Sequence, residues 1–173
     1  MSSVGHLFVG AAASRYGLAP TAGLRRLAFA ALLTGITVAP DLDLVLLPAL
    51  GVPESLTLGH RGATHSLVVA LVVALIVTVL AMAVRLPPRR IAIGAFIAIG
   101  SHALLDSLTV GPGVAWLWPF SAVRFPTFPI LPMAPLDHLL TVGGLTLLLA
   151  ETIVFAPFIA YAILARPSHS PAA

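Results

Sequence analysis

"SLVVALVVALIVTVLAMAV", residues 66–84, is nineteen residues without a charge. As an α-helix rising about 1.5 Å per residue it reaches roughly 28 Å, close to the hydrocarbon thickness of a bilayer. Such a run reads as a membrane span, and the composition of the rest of the chain agrees. Of 173 residues, 59% are hydrophobic and 9% are charged, whereas a soluble domain carries roughly 25% charged residues. Mean hydropathy is +1.06. Too few polar groups exist to cover a water-facing surface, so the natural solvent of this chain is lipid.

Working outward, "RRIAIGAFIAIGSHALLDSLTV" from Arg89 reads as a second span, and "RRLAFAALLTGITVAP" from Arg25 to Pro40 as a third, ended by its proline. A fourth lies within "LDHLLTVGGLTLLLAETIVFAPFIAYAILAR", with room to tilt or to kink at Gly143–Gly144 or Pro157. The opening "VGHLFVGAAAS" is short, and Gly10, Ala13 and Ser14 share a face with His6 that permits tight packing on a neighbour. The pattern predicts an all-α, polytopic helix bundle: four transmembrane helices and a short N-terminal one, in a single domain over 1–173, with 166–173 as a disordered tail. "MSSVGHLFVG" lacks the basic region of a signal peptide, so the N-terminus is expected to belong to the mature fold.

All nine basic residues are arginines. Arg15, Arg25 and Arg26 fall between the first two helices, Arg85, Arg89 and Arg90 between the third and fourth, and Arg166 after the last. Alternating spans put these on one side and Arg61 and Arg124 on the other, and the arginine-rich side should be cytoplasmic. This distribution reads as topology rather than as nucleic-acid binding, which the composition excludes. "PDLD", "HRGATHS", the far end of "SHALLD" and "LDH" then all reach the opposite, extracytoplasmic face. Cysteine is absent, so any metal would rest on His, Asp and Glu.

The candidates on that face are His6, Asp41, Asp43, His60, His65, His102, Asp106, Asp137 and His138. His102 and Asp106 stand four residues apart, on one face of a helix. Asp41 and Asp43 follow a helix end, where extended backbone can turn one carboxylate inward. His60 and His65 come from a loop that Gly62 lets turn tightly, and Ser66 is placed to cap the next helix. Imidazole with carboxylate and no sulfur suits Zn²⁺, or else Mn²⁺ or Fe²⁺, and seven or more ligands exceed the needs of one tetrahedral ion, so two ions are expected. Simpler readings stand beside this one: His6 as a packing residue, Asp137 and His138 as a helix cap, "DLD" as an acidic loop. Glu151, in the middle of an apolar segment, is either protonated or paired.

The ordered set "GHL", "PDLD", "HRGATHSL", "GSHALLDSLT" and "WPF", from His6 to Phe120, resembles the YdjM-like family of bacterial inner-membrane proteins, described as membrane-bound metal-dependent hydrolases. The resemblance implies that His6, Asp41, Asp43, His60, His65, His102 and Asp106 are the metal-site positions. Distantly, the ligand types are also similar to those of zinc-dependent phospholipase C. "PLDH" has no clear counterpart, which leaves Asp137 and His138 as additional candidates only.

On this reading a metal-activated water attacks a lipid or lipid-linked phosphoester. Asp43 takes the water's proton, Arg61 and Arg124 hold the anionic group, and Trp118, with Trp116 and Phe120, sits at the bilayer interface near the lipid tails. Two rivals use the same residues: a metal or proton transporter, and a non-catalytic membrane protein whose metal staples its helices. Ligands gathered at one rim disfavour transport.

Overall fold

A computed structural model describes residues 3–18, 23–53, 59–131 and 140–164. Their helices are α1 (Ser3–Leu18), α2 (Leu24–Ile36), α3 (Asp43–Ala49), α4 (Leu67–Ala83), α5 (Pro88–Ser107) and α6 (Val142–Leu164), with 3-10 turns at Ala39–Leu42 and Ala63–His65. Among the described residues there is no β-strand, only an isolated antiparallel bridge between Val114 and Phe125. The all-helical expectation holds.

Packing in these helices is inside-out relative to a water-soluble bundle. α4 buries the small positions Ala70, Ala74 and Ala81 together with Val77, and leaves Leu71, Leu75, Ile76, Val79 and Leu80 exposed. Burying small residues lets helix backbones approach closely, while the large apolar side chains face outward into lipid. α5 is the hub, packed against α4 and α1, and α1 in turn carries α2 and α6. The inward stripe of α5 runs Ile91, Ala95, Ala98, His102, Asp106, at helical spacing. Apolar packing thus delivers an imidazole and a carboxylate to one end of the bundle.

Four full spans were expected, and the structure has fewer. Among the described residues two helices, Pro88–Ser107 and Val142–Leu164, are long and apolar enough to cross a membrane; a third is counted only if Arg26–Ile36 and Ala39–Ala49, bent by 58° at their junction, form one span. α4 is a shorter apolar helix of 17 residues. Ser66 caps its start by accepting the Val69 N–H at 3.1 Å, as its position predicted, and a turn through Arg85, with φ at 58°, closes its end. The third predicted span breaks at the proline, because Pro40 cannot donate to the helix ladder. The backbone beyond it is not extended as expected: it makes a 3-10 turn through Asp41 and enters α3 at Asp43.

Two glycines on the α1–α2 pair behave oppositely. A Cβ on Gly10 would lie 2.5 Å from Thr37 Cγ2 and 3.1 Å from Thr34 Cα, whereas one on Gly35 would meet nothing within 4 Å. Gly10→Val should therefore cost about 1–3 kcal/mol through overpacking, read as a lower Tm in detergent. Gly35→Ala should leave Tm unchanged or slightly higher. Equal effects of the two substitutions would contradict this helix contact.

Candidate metal centre

Five pieces of chain meet where α1 begins and α5 ends. α1 brings His6, the turn after α2 brings Asp41, α3 begins at Asp43, the "HRGATHS" loop brings His60, Arg61 and His65, and α5 brings His102 and Asp106. Asp106 Oδ2 lies 3.3 Å from His65 Nε2, 3.7 Å from His102 Nε2 and 3.2 Å from Arg61 Nε, while Oδ1 lies 3.6 Å from His6 Nε2. Asp41 Oδ1 is 3.2 Å from His102 Nε2 and 3.6 Å from His65 Nε2. The His6 and His102 rings stack with centroids 3.8 Å apart and planes 13° from parallel.

The far sides of three rings fix which nitrogen faces the cluster. His102 Nδ1 contacts the carbonyl oxygen of Thr37, which can only accept, so Nδ1 carries the proton and Nε2 is bare in the neutral ring. His60 Nδ1 donates to Asp43 Oδ1 at 2.7 Å. Thr64 Oγ1 donates to Asp43 Oδ2 at 2.6 Å and lies 3.0 Å from His65 Nδ1, from which it can accept. Second-tier contacts of this kind orient imidazoles toward metals and raise their basicity. The sequence reading missed the part played by Thr37 and Thr64. The hydroxyl within "HRGATHS" was the available signal for one; nothing local marks a carbonyl at Thr37.

Two sets of ligand atoms within 4.8 Å of one another result: Asp41, His60, His65 and Asp106, and His6, Asp41 and His102. Six of the seven predicted ligands fall into them, with Asp41 shared. Asp43 is buried behind His60 and His65 with both oxygens engaged, on the side away from the convergent nitrogens.

The remaining candidates divide. Arg61 is buried, its guanidinium donating from Nη1 to the Asp106 carbonyl at 3.3 Å and from Nη2 to Thr109 Oγ1 at 3.0 Å. It lies so close to Gly111 that a Cβ there would collide with it. Its contacts hold Asp106 in place. Arg124 donates from Nη1 to the His60 carbonyl at 2.9 Å, which pins the histidine loop. Trp118 is half-buried in the aromatic loop, its backbone N–H bonded to the Ala115 carbonyl. Asp137 and His138 lie outside the described residues. Glu151 proves to be paired: from α6 it accepts the Gly5 N–H at 2.9 Å, satisfying one of the donors that a helix start leaves open, one residue before His6.

Does this donor set fit a divalent cation? Both ring nitrogens of His6 are buried without a hydrogen-bond partner, an arrangement that costs about 1–3 kcal/mol per group unless a ligand compensates. Burial lowers the His65 pKa, but hydrogen bonds to the Asp106, Asp41 and Asp43 carboxylates outweigh it and raise the value to about 10. The surrounding carboxylates thus favour positive charge at this position. Imidazole and carboxylate donors without sulfur are the set that suits Zn²⁺, Mn²⁺ or Fe²⁺. The residues fit.

His65→Ala and His102→Ala should each abolish retention of divalent metal, measured by elemental analysis of detergent-purified protein. Asp43→Ala and Thr64→Val should weaken affinity by about 10–100-fold, the scale of second-tier contacts. Full metal content in both histidine variants would refute the site.

Comparison with known proteins places the chain among inner membrane proteins. A family model described as "YdjM inner membrane protein" matches residues 1–168. The chain is 40% identical over 102 residues to the "Inner membrane protein YbcI" of Escherichia coli (strain K12), a match covering 58% of this chain and 57% of that relative, so it spans little more than half of the relative's length. No solved structure matches.

Proposed function

We propose that this chain, which belongs to the YdjM inner membrane protein family, is a metal-dependent hydrolase of a lipid or lipid-linked phosphoester at the extracytoplasmic face. The observation that carries the reading is the exposure pattern of the site. Of the ligand-bearing residues only Asp41 and His60 are partly exposed, at 19% and 20% of their side chains, and the others are buried. The ligand set is buried on one side and reaches the surface at Asp41 and His60, which would leave a bound ion accessible to water or substrate, the condition a catalytic metal site needs.

Beside the opening runs an apolar slot of about 170 Å³, lined by Ile36, Pro40, Thr64, Val69, Val73 and Ile99. Pro40 and Thr64 directly precede Asp41 and His65, so an acyl chain in the slot would lie next to the ligands. Arg15, Arg26, Arg85, Arg89 and Arg90 stand at the opposite ends of their helices, which supports an extracytoplasmic site under the positive-inside rule.

The sets Asp41, His60, His65, Asp106 and His6, Asp41, His102 would hold divalent cations, which when bound would supply Lewis-acid polarisation of a phosphoryl oxygen and a water that ionises near neutral pH. The chain's residues do the rest. Asp43 fixes His60 by accepting the hydrogen bond of its Nδ1–H; Thr64 and Thr37 hold His65 and His102 in the presenting tautomer; Arg61 locks Asp106. Asp43, expected to take a proton from water directly, acts on this geometry through the imidazoles it holds. Zinc is the first expectation for the ion, with manganese and iron as alternatives.

A second reading has its own support. His6, His65, His102 and Asp106 are almost wholly buried and join separate elements, as a purely structural staple would.

Metal-reconstituted protein in nanodiscs should release phosphate or a phosphorylated headgroup from a panel of lipid phosphoesters. Asp41→Asn should lower that release by about 100-fold or more, since it alters a carboxylate common to both ligand sets. Full metal content with no turnover on any substrate, together with a lower Tm on chelation, would favour the staple.

A further inference from the structure

A second feature runs along α1 and α2, and its basic end lies remote from the ligands. Between α1 and α2, closed by Ala162 of α6, runs a groove of about 480 Å³. Arg15, in the last turn of α1, and Arg26, at the start of α2, line one end; Ala11, Ala30, Ala31 and Thr34 line its length. Leu27, beside it, is 66% exposed, so the groove opens toward the lipid-facing surface. No acidic residue lines it. Two guanidiniums at the mouth of an apolar trough form a site with one charge sign and two chemistries.

We infer that this groove binds an anionic phospholipid, with its phosphate between Arg15 and Arg26 and one acyl chain along Ala11 and Ala31. Guanidinium is the side-chain group best matched to phosphate, which it can meet with two parallel hydrogen bonds. Basic pockets between helices on the cytoplasmic side are where anionic headgroups are held. The small side chains leave the room that a flexible methylene chain fills. Charge also decides against a second copy of the chain as the occupant. The six acids are Asp41, Asp43, Glu54, Asp106, Asp137 and Glu151. Glu151 is buried in the bundle, and none of the others lies in the arginine-bearing segments, so a second copy in the same orientation sets no acidic side chain against these arginines.

Native mass spectrometry of the full chain, extracted into detergent with equal dioleoyl phosphatidylglycerol and dioleoyl phosphatidylcholine, tests the proposal. Phosphatidylglycerol should be retained in preference by about tenfold or more, the scale expected of two basic side chains near an anionic headgroup. Arg15→Gln with Arg26→Gln should equalise the two lipids. Ala31→Phe, at an exposed position, should reduce retention of both while leaving Tm intact. Equal retention by the unaltered protein, or a preference that survives in the double variant, would overturn the assignment. So would a dimer that Ala31→Phe dissociates, because the occupant would then be a second chain. Metal content should not change in any of these variants, which keeps this test separate from that of the metal centre.

Discussion

One carboxylate organises this protein. Asp106 sits at the buried end of α5 with His6, Arg61, His65 and His102 all within 3.7 Å. An anion taken out of water is tolerated only where partners repay its desolvation. Here the partners come from α1, from the loop before α4 and from α5 itself. Each element is therefore positioned as much by the need to neutralise Asp106 as by apolar contact. In a lipid-solvated bundle, where burial of grease against grease gains little, such polar convergence is what specifies a unique arrangement.

Close packing makes the convergence possible. Gly10 lets α1 press onto α2 at Thr37, and the carbonyl of Thr37 then holds the ring of His102. The same crossing thus supports a helix contact and a tautomer. A few residues on, Pro40 ends any continuation of α2, and the 58° bend delivers Asp41 and Asp43 sideways into the cluster. A straight span would have carried both carboxylates past the imidazoles. The lost span is the means by which the site is built.

How far the sequence disclosed this depends on the range over which each feature is determined. The i, i+4 pair of His102 and Asp106 and the cap at Ser66 are local, and both were legible. Convergence of distant motifs was legible only through the sidedness of the arginines, which put "PDLD", "HRGATHS" and "SHALLD" at one end. Span count was not, because helix length depends on where caps and turns form, and a 17-residue apolar helix looks like a longer one until its ends are fixed. The roles of Asp43, Thr37 and Arg61 were also hidden. Whether an acid faces an open site or the back of an imidazole is set by a hydrogen bond between elements 17 residues apart, and Arg61 reads as a surface cation until its contact with Gly111 shows that it is buried.

Glu151 completes the electrostatic argument. A carboxylate halfway along an apolar helix is among the costliest placements in a membrane protein, and here it accepts the N–H of Gly5. The start of α1 carries open backbone donors and partial positive charge, so a carboxylate satisfies both. That contact ties α6 to α1 one residue before His6, whose ring nitrogens have no hydrogen-bond partner. Every acid within the described residues therefore bears on the same cluster: Asp41 and Asp106 at its centre, Asp43 behind its imidazoles, and Glu151 on the helix that brings His6. In a chain with so few charges, none of these four is spent on solubility.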